Sequence, residues 1–185
     1  MNLILKQNIT EIGNDIISID ETGIVLKRKN DYAWSKMGTK CTINEPNNYE
    51  LRYSMCMAIC KDRIISYRLT KGTYNGRKFG NFLFNKVIGK TNNKGILMDN
   101  ATIHKTKKIK EELSTKKIKV IYNVPYHPEY NPIEYLFNTL KSEIKNKYVR
   151  NYKQLNYCIN NFIIRTNKIG LSNYFQKSYN NLFAI

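Results

Sequence analysis

The run Ile16-Ile17-Ser18-Ile19-Asp20-Glu21-Thr22-Gly23-Ile24-Val25-Leu26 is dense in isoleucine before an acidic pair. A nearly continuous apolar run of this kind is typical of a strand in the buried middle of a sheet. The carboxylate of Asp20 would then lie in apolar surroundings, where ionisation is costly unless a cation or hydrogen-bond donors are close. We therefore expect this strand to form the centre of the fold and to carry a candidate functional group.

The rest of the sequence predicts a mixed sheet covered by helices. Residues 27–49 are polar and typical of a loop, and the runs 51–60 and 63–69 predict a hairpin that turns at Lys61-Asp62. The later elements are a helix over 76–89, a strand over 96–99, a helix over 102–113, a strand over 118–124 and helices over 132–148, 152–165 and 171–182. Antiparallel strands followed by parallel crossovers predict an α/β fold with five strands.

The amino-acid composition favours an anionic partner. The 185 residues carry a formal net charge of +17, from 31 Lys and Arg against 14 Asp and Glu. Such an excess is typical of proteins that bind nucleic acid, and less often of those that bind a membrane surface. Lysine supplies 24 of the 31 bases, however, and the codons of Lys, Asn and Ile are AT-rich, so genome composition explains part of the excess.

Several classes of protein are disfavoured by the sequence. No apolar run approaches the roughly 20 residues that cross a bilayer, and residues 1–6 are too quickly interrupted to form a signal peptide. The four cysteines match no zinc-binding spacing. The length suits one domain with a single core. We therefore expect a single domain over residues 1–185 of an intracellular protein with no membrane partner.

Two acidic residues close apolar strands. Asp20 ends the isoleucine-rich part of the first strand, and Asp99 follows Ile96-Leu97-Met98. If these two strands lie side by side, both carboxylates reach one place. Each Asp taken alone is equally well explained as a cap of the turn or helix that follows it.

Glu134 is the third candidate, in the sequence Asn131-Pro132-Ile133-Glu134. An Asn N-cap, a Pro at the first helical position and a Glu at the third form a capping-box pattern, and for Glu134 alone capping is the better explanation. On a helical wheel, Glu134 lies about 100° from Ile133 and shares a flank with Lys141 and Lys145. That flank suits a metal site beside a phosphate backbone.

Three motifs together resemble the mariner-like superfamily of DDE transposases, and most closely its insertion-sequence branch. They are Ile19-Asp20-Glu21 with Trp34-Ser35-Lys36-Met37-Gly38, then Met98-Asp99-Asn100-Ala101-Thr102-Ile103-His104, and then Pro125-Tyr126-His127-Pro128-Glu129-Tyr130-Asn131-Pro132-Ile133-Glu134-Tyr135-Leu136-Phe137. From Asp99 to Glu134 is 35 positions, a spacing that this superfamily favours. The resemblance covers roughly residues 15–165.

The resemblance implies an RNase H-like fold and a catalytic triad of Asp20, Asp99 and Glu134 that binds two divalent cations, normally Mg²⁺, with Mn²⁺ as a substitute. Hard carboxylate oxygens suit Mg²⁺, which also accepts phosphate oxygens and water. Two such ions stabilise both the attacking and the leaving oxygen of an in-line displacement. The implied activity is DNA transposition: water nicks the end of the element, and the freed 3′-OH attacks target DNA.

Supporting residues follow from the same motifs. Glu21 is expected beside the metal ligands rather than among them, because Asp20 and Glu21 point to opposite faces of a strand. His104 either orients a carboxylate, meets a phosphate or packs at the helix start, and His127 either contacts DNA or lies on the loop surface, which we favour. Trp34 either packs on the sheet, which we favour, or contacts DNA. The remaining candidates are Asn100 and Asn131 near the carboxylates, and Lys105, Lys108, Lys141 and Lys145 as DNA contacts.

The main departure from the superfamily lies at the N-terminus. Only about 15 residues precede the first strand, too few for the helix-turn-helix domain that usually recognises the element's ends. We expect that domain to be encoded separately, or the chain to be a fragment or a decayed copy. Three hypotheses follow: an active strand transferase, a DNA-binding remnant without catalysis, and an RNase H-like nuclease without strand transfer. Double-stranded DNA is the expected partner, with a homodimer as a further possibility.

Overall fold

The computed structural model describes residues 2–13, 15–26, 34–41, 51–90 and 95–184. Most of the predicted loop at 27–49, and most of the turn predicted at 92–95, therefore lie outside the described residues. Within the described ranges, no helix is both long and apolar enough to cross a membrane.

A five-stranded mixed sheet forms the centre of the structure. Its strands are β1 (Ile16–Leu26), β2 (Leu51–Ile59), β3 (Ile64–Lys71), β4 (Gly95–Met98) and β5 (Lys119–Tyr122), in the spatial order β3-β2-β1-β4-β5. β1 to β3 are antiparallel, whereas β4 and β5 run parallel to β1. The predicted sheet is confirmed, and the isoleucine-rich first strand is its middle strand.

Helices cover both faces of this sheet. They are α1 (Asn2–Ile12), α2 (Gly76–Phe82), α3 (Lys107–Thr115), α4 (Pro132–Asn146), α5 (Tyr152–Ile169) and α6 (Ser172–Phe183). The apolar residues of α2 and α3 pack on Ile17 and Ile19 of β1, and those of α4 and α5 pack on Ile24 and Leu26. Since adjacent residues of a strand point to opposite faces, β1 contributes to a core on each side.

Three helical elements differ from the sequence prediction. The helix predicted over 76–89 is α-helical to Phe82 and continues as a π-helix at Leu83–Val87. The prediction did not include α1, which buries Leu5 and Ile9 against Leu97 and Ile121 of the sheet. The helix predicted over 102–113 is divided into a 3₁₀ turn at Thr102–His104 and the separate α3. The division has a physical reason: it directs the His104 side chain inward, where it is fully buried.

Trp34 also differs from its prediction. We expected it to pack on the sheet, but its side chain is fully exposed. The described segment 34–41 makes its own local contacts, such as the hydrogen bond from the Thr39 hydroxyl to the Lys36 carbonyl. The favoured packing of Trp34 on the sheet is therefore wrong, and its contact with DNA stays a prediction.

Candidate active site

The strand register brings two carboxylates to the same level. β1 and β4 pair in parallel, and the last pair is Ser18 with Leu97. Asp20 and Asp99 each lie two residues beyond that pair, at the carboxyl end of β4 and beside the continuing β1. The two acids therefore meet where the pairing of these strands ends, as the apolar runs in front of them suggested.

Asp20 is buried beside other acids. Its side chain is buried, its Oδ1 accepts a hydrogen bond from the Glu21 backbone N–H at 2.7 Å, and its Oδ2 accepts one from the Asn131 amide at 3.1 Å. Burial, followed by the negative charges of Asp99 and Glu134, raises the pKa of Asp20 to about 8. The Glu21 N–H opposes this shift but does not cancel it. A cation near Asp20 would relieve the conflict.

Asp99 has better partners. Its Oδ1 accepts a hydrogen bond from the Ala101 backbone N–H at 2.9 Å and lies 2.7 Å from Nδ1 of His104. Burial acts to raise the pKa of Asp99, but the His104 contact and the Ala101 N–H outweigh it, so the pKa lies below its ordinary value. Asp99 is therefore charged at neutral pH.

His104 joins Asp99 to Glu21. Its Nε2 lies 3.0 Å from Oε2 of Glu21, its Nδ1 faces Asp99, and the Phe79 ring packs against it with centroids 4.2 Å apart. Burial acts to lower the pKa of His104, but the contacts with Asp99 and Glu21 outweigh burial and raise the pKa to about 10. An imidazolium therefore links the acid after β4 to the residue next to Asp20. Of the three alternatives for His104, this geometry matches the orientation of a carboxylate.

The start of α4 does not form the predicted capping box. Asn131 occupies the N-cap position, but its side chain makes no hydrogen bond to the helix. Its Oδ1 instead accepts from the Ser18 hydroxyl at 2.5 Å, while its amide donates to Asp20. The interaction with two buried polar groups of β1 replaces the cap, because those groups have few other partners in the core. The Asn131 backbone N–H, which the carboxylate of Glu134 would bind in a capping box, donates to the Pro128 carbonyl at 2.9 Å. Capping is therefore the wrong explanation for both Asn131 and Glu134.

Glu134, one turn into α4, faces the same space as the two aspartates. Burial raises its pKa, Lys141 acts in the opposite direction, and the charge of Asp99 raises the pKa further. Asp20, Asp99 and Glu134 all line one cleft of about 400 Å³. Glu21, Asn100, Asn131 and His127 line it as well.

A network of amides holds the rim of this cleft. The Asn100 amide donates to the Asn123 carbonyl at 2.6 Å, and the Asn123 amide donates to the His127 carbonyl at 2.8 Å. Lys105 donates to the Asn100 side chain at 2.6 Å and lies over the Tyr122 ring. Asn100 therefore ties the segment after β4 to the segment after β5, and the predicted DNA contact Lys105 already has protein partners.

The other predicted DNA contacts differ in their surroundings. Lys141 and Lys145 are exposed on α4, and Lys108 is exposed on α3. His127 is partly exposed, stacks on the Tyr130 ring with centroids 4.8 Å apart, and pairs with Glu129 at 2.7 Å. Of these residues, Lys141 is the one whose charge reaches a candidate ligand, because it lowers the pKa of Glu134.

The donor set suits a hard cation that binds in part through water and phosphate. In the described part of the chain, no group of three or more His, Cys, Asp or Glu side chains forms a ready-made metal cage. Mg²⁺ does not require one, since it is usually held by one or two carboxylates and keeps waters or phosphate oxygens as further ligands. The buried carboxyl of Asp20, together with Asp99 and Glu134 around an open cleft, fits such an ion.

Some residues of the site were not identified from the sequence. Ser18 and Asn123 are buried polar residues that position Asn131 and the 124–128 loop, and Tyr126 lines the cleft. Ser18 lies within an apolar strand and Asn123 at the end of one, and a polar residue in such a position is a usable signal. The partner of Ser18 is 113 positions away, so local sequence cannot identify it.

Comparison with known proteins agrees with the fold and the motifs. In the catalytic domain of Mos1 mariner transposase, 17% of aligned residues are identical, the TM-score is 0.71, and the match covers 98% of this chain and 84% of that one. The Mos1 strand transfer complex and the Mos1 paired-end complex with Mg each give a TM-score of 0.75 at 19% identity over 97% of this chain. No curated protein matches by sequence.

The chain spans slightly more than half of the Mos1 chains in those two complexes, 56% and 57%. The structural matches show that this chain has the RNase H-like fold found in the Mos1 catalytic domain. The sequence family described as DDE superfamily endonuclease matches residues 15–156, which include all three acids. The chain therefore belongs to the DDE endonuclease superfamily.

Proposed function

We propose that this chain is the single catalytic domain of a mariner-like transposase, a metal-dependent DNA endonuclease and strand transferase that acts on transposon ends. The observation that carries the proposal is the meeting of Asp20, Asp99 and Glu134 in one cleft. Burial and neighbouring acids leave Asp20 in need of a cation. Membership of the DDE endonucleases and the likeness to Mos1 complexes with Mg and Mn support the proposal.

The proposed cofactor is a pair of Mg²⁺ ions, with Mn²⁺ as a substitute. Asp20, Asp99 and Glu134 would hold them. When bound, such ions activate the attacking oxygen and stabilise the leaving oxygen of the phosphoryl transfer. Because the pKa of Asp20 is raised to about 8, this carboxyl must release a proton when a cation is taken up near neutral pH.

The protein's own groups orient the ligands. Asn131 and the Glu21 N–H fix the two oxygens of Asp20, while His104 and the Ala101 N–H fix one oxygen of Asp99. Partners of this kind around metal ligands typically change metal affinity or activity 10- to 100-fold when they are removed. Glu21 is joined to Asp99 through His104, and we infer that both Glu21 and His104 are positioning residues.

Double-stranded DNA, both transposon ends and target, is the proposed partner. Lys141, Lys145 and Lys108 are exposed and could contact phosphates, whereas Lys105 and His127 would first have to exchange their present partners. A homodimer and a separately encoded helix-turn-helix domain are further proposed partners. The protein would act inside the cell wherever DNA is, in a nucleus, a nucleoid or a viral replication site.

The test is the nicking of supercoiled plasmid DNA by the purified chain. We expect nicking with Mg²⁺ or Mn²⁺, none with EDTA, and a rate at least about 100-fold lower for Asp99→Ala, because a metal ligand and its charge are lost. The matched control is Glu111→Ala, which removes a carboxylate that is 63% exposed on α3 and lies 3.9 Å from the Lys107 ammonium. Nicking that survives Asp99→Ala, or a folded wild-type chain that nicks with neither metal, would overturn the proposal.

A further inference from the structure

Tyr126 occupies an unusual position at the mouth of the cleft. It lines the same cleft as Asp20, Asp99 and Glu134, yet its side chain is fully exposed. A large aromatic side chain without burial contributes nothing to the core. Its place in the structure therefore needs another explanation.

The backbone of Tyr126 is unusual as well. It has φ +64°, in the left-handed region that β-branched and bulky residues rarely adopt. The His127 N–H donates to the Val124 carbonyl at 3.3 Å, which closes a turn with Pro125 second and Tyr126 third. A turn with Pro second and positive φ third is of type II, and its third position strongly favours Gly. The chain has a tyrosine there instead.

The other non-glycine residues with positive φ have a local explanation. Lys117 and Tyr148 follow the last turns of α3 and α4. In each case the next residue's N–H bonds back to a carbonyl five positions earlier, from Ile118 to Leu113 and from Val149 to Ile144. That pattern is the helix-ending motif in which a left-handed residue is normal. Tyr126 ends no helix, so this explanation does not apply to it.

The loop around Tyr126 is held firmly. Pro125 and Pro128 restrict the backbone on both sides. The Asn123 amide donates to the His127 carbonyl at 2.8 Å, and the His127 ring stacks on Tyr130, which is buried. A fixed loop that presents an exposed ring loses little entropy when a flat ligand stacks on that ring.

We propose that Tyr126 is a stacking site for an unpaired nucleobase of the DNA bound at this cleft, an inference that rests on the proposed function. The bases of an intact duplex are covered by their neighbours, so only an unpaired or displaced base offers a free face. Stacking on an aromatic side chain accepts every base, because each has a π-face. The ring thus selects DNA whose strands are separated next to the scissile phosphate.

The experiment measures the affinity for labelled duplexes by fluorescence anisotropy, with Ca²⁺ in place of Mg²⁺. Each duplex carries a four-thymidine overhang, 3′ or 5′, or the same overhang built of abasic residues. We expect the wild-type chain to bind at least one thymidine overhang about 5- to 100-fold more tightly than its abasic counterpart. Tyr126→Gly should abolish this preference, and Tyr126→Phe and Tyr126→Trp should retain it.

The variants are chosen so that misfolding cannot imitate the result. Glycine suits the third position of a type II turn, so Tyr126→Gly is expected to unfold at the same temperature as the wild type or above it. Tyr148→Gly is the matched control, because Tyr148 is also an exposed tyrosine with positive φ but does not line the cleft. It should leave the preference for thymidine overhangs unchanged.

The outcomes separate this inference from the proposed function. A wild-type chain with no preference for thymidine overhangs, or a preference that survives Tyr126→Gly, overturns the stacking site even if plasmid nicking succeeds. A preference that depends on Tyr126 supports the stacking site even if plasmid nicking fails, in which case the proposed catalysis alone is lost.

Discussion

Asp20 is a residue that is only 7% exposed, and its carboxyl group lies near the negative charges of Asp99 and Glu134. Without a cation, these surroundings raise its pKa to about 8, so the group is mainly protonated at neutral pH. The unfolded chain has the ordinary Asp pKa of about 3.8. Between these two values the folded protein holds a proton that the unfolded protein has lost.

This difference predicts how stability depends on pH. The stabilisation from the raised pKa is fully present below about pH 4 and is lost as the pH rises through 8. Asp20 should therefore lower the free energy of unfolding of the metal-free protein by up to about 1.4 kcal/mol per pH unit in that window. In Asp20→Asn this contribution is absent. In urea unfolding with EDTA, the free energy of unfolding of the variant relative to that of the wild type should therefore increase from pH 5 to pH 8.

The pH dependence of the wild type alone does not isolate Asp20, because His104 also contributes to it. Its pKa is raised to about 10, so its own stabilisation is complete below about pH 6.5 and is lost as the pH rises through 10, with the same sign as that of Asp20. His104 is present in both proteins and largely cancels in their difference. Parallel pH profiles for the wild type and Asp20→Asn would contradict the raised pKa of Asp20.

Individual residues of the site could be predicted only in part. Asp20 and Asp99 follow from the cost of a carboxylate at the end of an apolar strand, and both lie in the cleft. The resemblance predicts Asn131 near the carboxylates, but the hydrogen bonds of its side chain could not be predicted, because the local motif favours a helix cap and the actual partners lie 111 and 113 positions away. When a side chain can bond either a local or a distant partner, the outcome is known only from the folded structure, which brings the distant partner close.

At the scale of elements, α1 is the clearest addition of the structure. Few of its positions are apolar and buried. The packing of Leu5 and Ile9 can be recognised only once the positions of β4 and β5 are known. The helix is too short to be stable alone, so tertiary packing must hold it. The break after His104 has the same origin, since the side chain turns inward to reach Glu21 and Asp99.

The contact between α1 and β4 predicts the effect of a single methyl group. A Cβ added at Gly95 would lie 2.5 Å from Cδ1 and 3.1 Å from Cγ2 of Ile12, so the Ile12 side chain must move as a whole. We expect Gly95→Ala to lower the free energy of unfolding by about 1–3 kcal/mol. Ile12→Ala should remove most of this cost, which urea unfolding of both single variants and the double variant will measure.

We expect the double variant to lose less free energy of unfolding than the sum of the losses in the two single variants. If α1 does not pack at this place, Gly95→Ala and Ile12→Ala change the free energy of unfolding independently. Strict additivity in the double-mutant cycle would thus contradict the position of α1 on the sheet.

At the scale of the whole molecule, the protein has an excess of positive charge overall and a local cluster of acids in the cleft. The chain carries a formal net charge of +17, yet four of its 14 acids line one cleft. They are Asp20, Glu21, Asp99 and Glu134. A cluster of acids in a cationic protein suits a cation that is bound next to a phosphate backbone. From composition alone, the lysine excess could not be assigned either to DNA binding or to AT-rich codons. The sheet could be predicted, because its strands are apolar runs in a recognisable order.

The binding of Mn²⁺ tests directly whether Asp20, Asp99 and Glu134 hold the divalent ions proposed for this cleft. Electron paramagnetic resonance at pH 8 would titrate Mn²⁺ into the wild type and into Asp20→Asn, Asp99→Asn and Glu134→Gln, with Glu111→Gln as the exposed control. We expect each cleft substitution to weaken the tightest Mn²⁺ binding at least about 10-fold and the control to leave it unchanged. Equal Mn²⁺ affinity in the wild type and all three cleft variants would contradict this expectation.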